Sequence, residues 1–222
     1  MKELVTFADV ALYYPQLVDY LRLALVAAAT FTCTADGDAW HLTTAALVLT
    51  SVALDYYDGK LARYFDQCSV IGDGFDWTAD VCVNWVFVLW WGRLEPAVQP
   101  FVALWTMVET ATAVFDFAMH ATERYGPRGK QGGFCAVLEW AIPAGRWNWL
   151  GYAMWISYPV FCTARCLGAA QVGSGAVQKV ARVVQAVLAV PAFLFVWSNF
   201  ALLKANLSRW TERRRAGSKP RA

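Results

Sequence analysis

Charge is the scarcest resource of this chain. Only 16% of its 222 residues are Asp, Glu, Lys or Arg, and only two are histidine. A soluble domain carries about 25% charged residues. With 19 basic against 17 acidic residues, the net charge of +2 excludes the broad electrostatic footprint of a nucleic-acid binder. Cysteines stand at positions 33, 68, 82, 135, 162 and 166, never as C-x-x-C and without histidine at ligand spacing. That excludes a zinc site and leaves buried free thiols as the reading. No secretory leader is expected, because Val5–Tyr14 is interrupted by Asp9 and has no small-residue cleavage site. No internal repeat and no appended soluble domain can be read.

What the chain has instead is apolar bulk. Hydrophobic residues make up 58%, with 12 Trp and 13 Phe, and the mean hydropathy is +0.37. Six apolar stretches run over about Leu17–Phe31, His41–Tyr57, Trp77–Trp91, Val98–Met119, Trp147–Leu167 and Val183–Leu203. Several need flanking residues to reach the roughly 20 that cross a bilayer. The expected fold is therefore an all-α integral membrane protein with six transmembrane helices. Fourteen basic residues, among them Lys60, Arg63, Arg124, Arg146 and the tail from Arg209, fall on one side of these stretches. Three, Arg93, Lys179 and Arg182, fall on the other, while Arg22 and Arg165 lie inside spans. The positive-inside rule then places both termini in the cytoplasm. Residues 1–208 read as one transmembrane domain and 209–222 as a basic cytoplasmic tail, suited to anchoring topology or to anionic headgroups. Trp90, Trp91, Trp147 and Trp149 read as interface aromatics.

Against this background four aspartates stand out. The segment Asp55-Tyr-Tyr-Asp58-Gly59-Lys-Leu-Ala62-Arg63 is followed, after eight residues, by Gly72-Asp-Gly-Phe-Asp76-Trp-Thr-Ala-Asp80. Acidic groups at membrane depth are costly and usually functional. Asp55 and Asp58 share one helical face, as do Asp76 and Asp80. The connection between the two pairs is expected to let the two helix ends lie side by side. Two like charges 4 Å apart repel by about 4 kcal/mol at an effective dielectric of 20. Such carboxylates must take up protons or share cations. An all-oxygen set suits two Mg²⁺ or Mn²⁺ ions, a pairing apt for displacement at phosphorus. Gly59 and Gly72 would let a nucleotide approach the backbone, Ala62 keeps the same face open, and Arg63 and Ser69 could meet phosphate oxygens. An ion- or proton-coupled transporter also places acids in spans, yet it does not require Gly59, Ala62, Arg63 and Gly72 in frame with them.

In these residues the chain resembles the CDP-alcohol phosphatidyltransferase family, whose D-x2-D-G-x2-A-R-x8-G-x3-D-x3-D signature it matches without a gap. The resemblance implies six membrane helices, usually a homodimer, and a CDP-linked lipid donor such as CDP-diacylglycerol with loss of CMP. It implies that Asp55, Asp58, Asp76 and Asp80 hold metal, and that Asp80 is also the general base. Gly59, Arg63 and Ser69 then fall where the CDP-lipid is contacted, with Ala62 and Gly72 as small packing positions. Within the family the chain is similar to members that use myo-inositol as acceptor. The similarity rests on its length, its short basic tail, the Tyr14-to-Arg22 entry of the first span and Gln67-Cys68-Ser69. It departs from them at Gln16, where Asn is usual, and at Val81, where Arg is common, and its fifth span lacks an Asn-Glu pair. Glycerol-3-phosphate and serine acceptors stay open. In a eukaryote the endoplasmic reticulum would be the membrane, with the site facing the cytoplasm.

A second polar feature lies in the fourth span. Glu109, Thr112, Asp116 and His120 form one stripe on an apolar helix, suited to an acceptor pocket or to interhelical hydrogen bonds. Arg146 and Arg165 are further candidates for that pocket.

Overall fold

The computed structural model describes residues 10–122 and 149–217, and among them every regular element is an α-helix. Helix α1 is Tyr14–Thr32, α2 Asp38–Tyr64, α3 Val70–Leu94, α4 Gln99–Thr122, α5 Trp149–Ala169 and α6 Gly175–Gly217. Sequential neighbours pack on one another, α1 on α2, α3 on α4 and α5 on α6. Contacts of α1 with α3, of α3 with α5 and of α4 with α6 join these pairs. The shared core gathers Val26 and Ala29 of α1, Val48 of α2, Val86, Phe87 and Trp90 of α3, and Cys162 of α5.

One segment among the described residues, Gly175–Trp197 of α6, is long and apolar enough to cross a membrane. Its Val180, Val183, Val187, Val190 and Phe193 face outward. Helices α1 to α3 fall short because aspartate and arginine interrupt them, and α4 and α5 because Thr, Trp, Tyr and charged residues dilute them. The six helices among the described residues overlap the six apolar stretches read from the sequence.

Two boundaries differ from the sequence reading. Helix α2 continues past Tyr57 to Tyr64, and α3 begins at Val70 rather than near Trp77. The residues between the aspartate pairs are thus mostly helical, and the link itself is only 65–69. Local chemistry explains both shifts. Asp66 closes α2 in the left-handed region (φ 53), which aspartate tolerates better than most residues, and Gln67 N–H bonds Ala62 C=O at 2.8 Å. Ser69 caps α3: its Oγ accepts Gly72 N–H at 2.9 Å. Asp73 in the first turn adds favourable charge. The link is pinned to the first helix, because Gln67 Oε1 accepts Tyr14 N–H at 3.0 Å and Tyr14 stacks on Phe65.

The opposite end of the bundle is closed by polar ties. Arg93 donates to the Cys33 and Ala35 carbonyls and to Asp36, holding the α1–α2 turn. Asp38 accepts Gly173 N–H from the α5–α6 turn at 2.9 Å. Trp90 is fully buried and donates its indole N–H to His41 Nδ1 at 3.0 Å, so it is a core residue and not an interface aromatic. Arg165 makes a two-pronged pair with Glu95, at 2.8 and 2.7 Å, and lies over Trp91. It therefore serves this end and not an acceptor pocket.

Glu95 also accepts the Trp91 indole N–H, and these donors hold its carboxyl below the ordinary glutamate value, the Trp91 bond first and Arg165 second. A carboxyl lowered in the folded state adds stability above the unfolded value of 4.5, and that gain fades as pH falls through the lower folded value. Both side chains are about one-third exposed, so the pair is screened. Glu95→Gln is expected to cost about 0.5–1 kcal/mol at pH 7, with the gap to the parent closing in acid. Paired thermal melts at pH 7 and below pH 4.5 read this directly.

Candidate functional site

The link 65–69 turns the chain back so that the last turns of α2 and the first turns of α3 sit side by side, with α1 packed across both. Three helices thus converge on one point, and Arg22 of α1 lies there with no exposure to solvent. Its Nη1 contacts Asp58 Oδ2 at 2.8 Å, Asp76 Oδ1 at 2.5 Å and Asp19 Oδ1 at 3.4 Å. Its Nη2 contacts Asp80 Oδ1 at 2.6 Å and Asp55 Oδ1 at 2.7 Å. All four signature aspartates therefore meet in space, as their spacing predicts.

Arg22 and Asp19 were not among the site residues expected from the sequence. The available signal was the cost of an arginine inside an apolar stretch, which demands acidic partners. Asp19, three residues before Arg22, shares its face of α1.

Exposure grades the cluster. Asp76 and Asp80 are about one-third open, at 36% and 35%, while Asp58 is at 7% and Asp19 at 2%. The accessible side is thus the α3 side, where a substrate could reach. Asp55 Oδ1 sits close to Nη2 but off the line of its N–H bonds, so this buried oxygen receives no hydrogen bond. A lone pair without a donor in a ring of carboxylates is suited to a cation. Two sets bring one oxygen per residue within 4.8 Å of one another: Asp55, Asp76 and Asp80, and Asp19, Asp58 and Asp76. Each could hold a divalent ion with oxygen donors alone.

The small residues of the frame have visible neighbours. A Cβ on Gly59 would lie 3.4 Å from Arg63 Nη1, so the glycine lets the exposed Arg63 guanidinium fold over the backbone beside Asp58. A Cβ on Gly72 would collide with the Gln16 side-chain amide, which is itself 1% exposed. Gly72 thus admits Gln16 of α1, a packing role. The Ser69 hydroxyl oxygen is used as a helix cap. Ala62 is half-buried on α2.

Of the stripe on α4, Glu109 is tied to α3 beside the cluster. It accepts from Asn84 Nδ2, and Asn84 lies one turn after Asp80 on the same face of α3. Asn84 is a buried polar residue that sequence reasoning missed, since a lone Asn in an apolar run carries no distinctive spacing. Thr112 is buried and gives its hydroxyl proton to Val108 C=O at 2.8 Å, within its own helix. The side chains of Asp116 and His120, and all of Arg146, lie outside the described residues.

A stretch of 102 residues is 31% identical to the CDP-diacylglycerol–inositol 3-phosphatidyltransferase of Candida albicans, covering 45% of this chain and 42% of that protein. The match thus spans less than half the length of that relative. No solved structure matches the chain. Residues 12–210, nearly the whole chain, match the model of the CDP-alcohol phosphatidyltransferases, the family to which this protein belongs.

Proposed function

We propose that the protein makes phosphatidylinositol, moving the phosphatidyl group of CDP-diacylglycerol to myo-inositol with release of CMP. The observation that carries this reading is the meeting of Asp55, Asp58, Asp76 and Asp80 at one buried cation, with Arg63 folded over Gly59 beside them. The inositol acceptor is supported by the Candida albicans relative, whose name carries that activity.

In this mechanism Asp80 is the general base and is reached from the open α3 side of the cluster. It takes the proton of an inositol hydroxyl as that oxygen attacks the phosphorus bearing the diacylglycerol. The bond from that phosphorus to the bridging oxygen breaks, and the electron pair leaves with CMP. Arg63 offers a fixed cation to the phosphate oxygens. Asp55, Asp58, Asp76 and Asp80 would hold two Mg²⁺ or Mn²⁺ ions, which would supply charge stabilisation to the diphosphate. Glu109, oriented by Asn84 one turn from Asp80, accepts hydrogen bonds from the polyol. Thr112, Asp116 and Arg146 complete the acceptor side in this reading. The site faces the cytoplasm of a multi-pass membrane protein, in the endoplasmic reticulum of a eukaryote, and the enzyme works as a homodimer.

Purified protein in liposomes with CDP-diacylglycerol and Mn²⁺ should label lipid from myo-inositol and not from glycerol 3-phosphate or serine. Asp80→Asn should lower that rate by about 10²- to 10⁴-fold, the usual worth of a general base. Label from a different acceptor would keep the family and overturn the inositol reading. Chelation with EDTA should abolish CMP release, and either Mg²⁺ or Mn²⁺ should restore it; persistence of full activity in EDTA would remove the metal role.

A further inference from the structure

Asp19 is the least exposed carboxylate of the cluster and the one farthest from its guanidinium. At 2% exposure it has almost no water, yet its contact with Arg22 is the longest of the five, 3.4 Å against 2.5–2.8 Å for the others. Nη1, the nitrogen nearest Asp19, does not close that gap. Nη1 has two protons for three carboxylates, and Nη2 has two for the remaining pair. The fifth donor, Nε, is buried without a hydrogen-bond partner. A buried carboxylate with poor pairing is costly unless another cation shares it.

Charge and position point the same way. Five ionised carboxylates against one guanidinium leave four negative charges, the complement of two divalent cations. Oxygens of Asp19, Asp58 and Asp76 lie within 4.8 Å of one another, and so do those of Asp55, Asp76 and Asp80. Asp76 is common to both sets, as a ligand bridging two adjacent ions would be.

We propose that Asp19, which lies outside the aspartate signature, is a metal ligand of this protein. With Asp58 and Asp76 it forms one divalent-cation site, and Asp55, Asp76 and Asp80 form the other. This rests on the metal role given under the proposed function. Helix α1 then contributes both a ligand and the counter-charge of the site. The competing role for Asp19 is structural, a protonated carboxyl hydrogen-bonded to Asp58 with no share in an ion.

The test is a titration of Mn²⁺ into purified, metal-free protein in detergent, with free Mn²⁺ read by electron paramagnetic resonance and melting temperature followed in parallel. The parent should bind two ions per chain. Asp19→Asn should keep one at parental affinity and weaken the other by more than the roughly 10-fold typical of losing even an outer-shell partner. Its Mn²⁺-induced rise in melting temperature should shrink accordingly. Two ions at parental affinity in Asp19→Asn would overturn the proposal while leaving the metal role intact. A parent that binds no Mn²⁺ would overturn both. Should Asp19→Asn fail to fold, Asp55→Asn tests the same division without touching Asp19. It should lose one ion and retain the other on Asp19, Asp58 and Asp76, and loss of both would count against the proposal.

Discussion

A guanidinium with no access to water holds together the end of this bundle where chemistry is possible. Arg22 touches carboxylates from three helices, and without it Asp19, Asp55, Asp58, Asp76 and Asp80 would repel one another at close range. Much of the local architecture follows from bringing these groups together. Helix α2 must run on to Tyr64, α3 must start at Val70, and the link must be short enough to reverse the chain between them. The Ser69 cap, the left-handed Asp66 and the Gln67 bond to Tyr14 are the devices that do this. Gly72 then lets α3 approach α1 closely enough for Gln16 to sit against it.

The two ends of the bundle use charge differently. At the Glu95 end two cations have dedicated partners: Arg165 pairs with Glu95, and Arg93 with Asp36 and two carbonyls. Such pairs are satisfied as they stand and hold turns in place. At the Arg22 end acids outnumber the cation five to one. An unbalanced cluster of that kind costs stability unless further positive charge arrives, which is why it reads as a binding site and the other end as a fastening. The apolar strip of α6 faces outward, while the charged helices α1 to α3 build the site.

The spacing of the aspartates was legible in the sequence because helical geometry turns intervals of three and four into shared faces. That each pair shares one face followed from the pattern, and the meeting of the two pairs was an expectation from the connection between them. The link length did not, because Gly72, Asp73 and Gly74 look like loop residues until Ser69 is recognised as a cap. Arg22 and Asp19 were hidden for a different reason. The four signature partners of Arg22 lie on other helices, no local pattern announces a contact 33 to 58 residues away, and Asp19 gains its meaning only beside them. Trp90 was misread on the same ground: a tryptophan near a helix end resembles an interface residue until His41 is found opposite it. Glu109 was found through its periodicity, whereas its partner Asn84 had no periodic signal to offer.

The central claim is that Arg22 is the counter-charge on which the aspartate cluster depends. Its most direct test is the stability of Arg22→Gln at neutral pH, with and without Mn²⁺. Removing one partner of a buried ionic network costs about 3–5 kcal/mol. The account predicts a loss of that size in metal-free protein, partly recovered on adding Mn²⁺, because a second source of positive charge then serves the same carboxylates. An Arg22→Gln variant that melts with the parent, in the absence and in the presence of Mn²⁺, would contradict it.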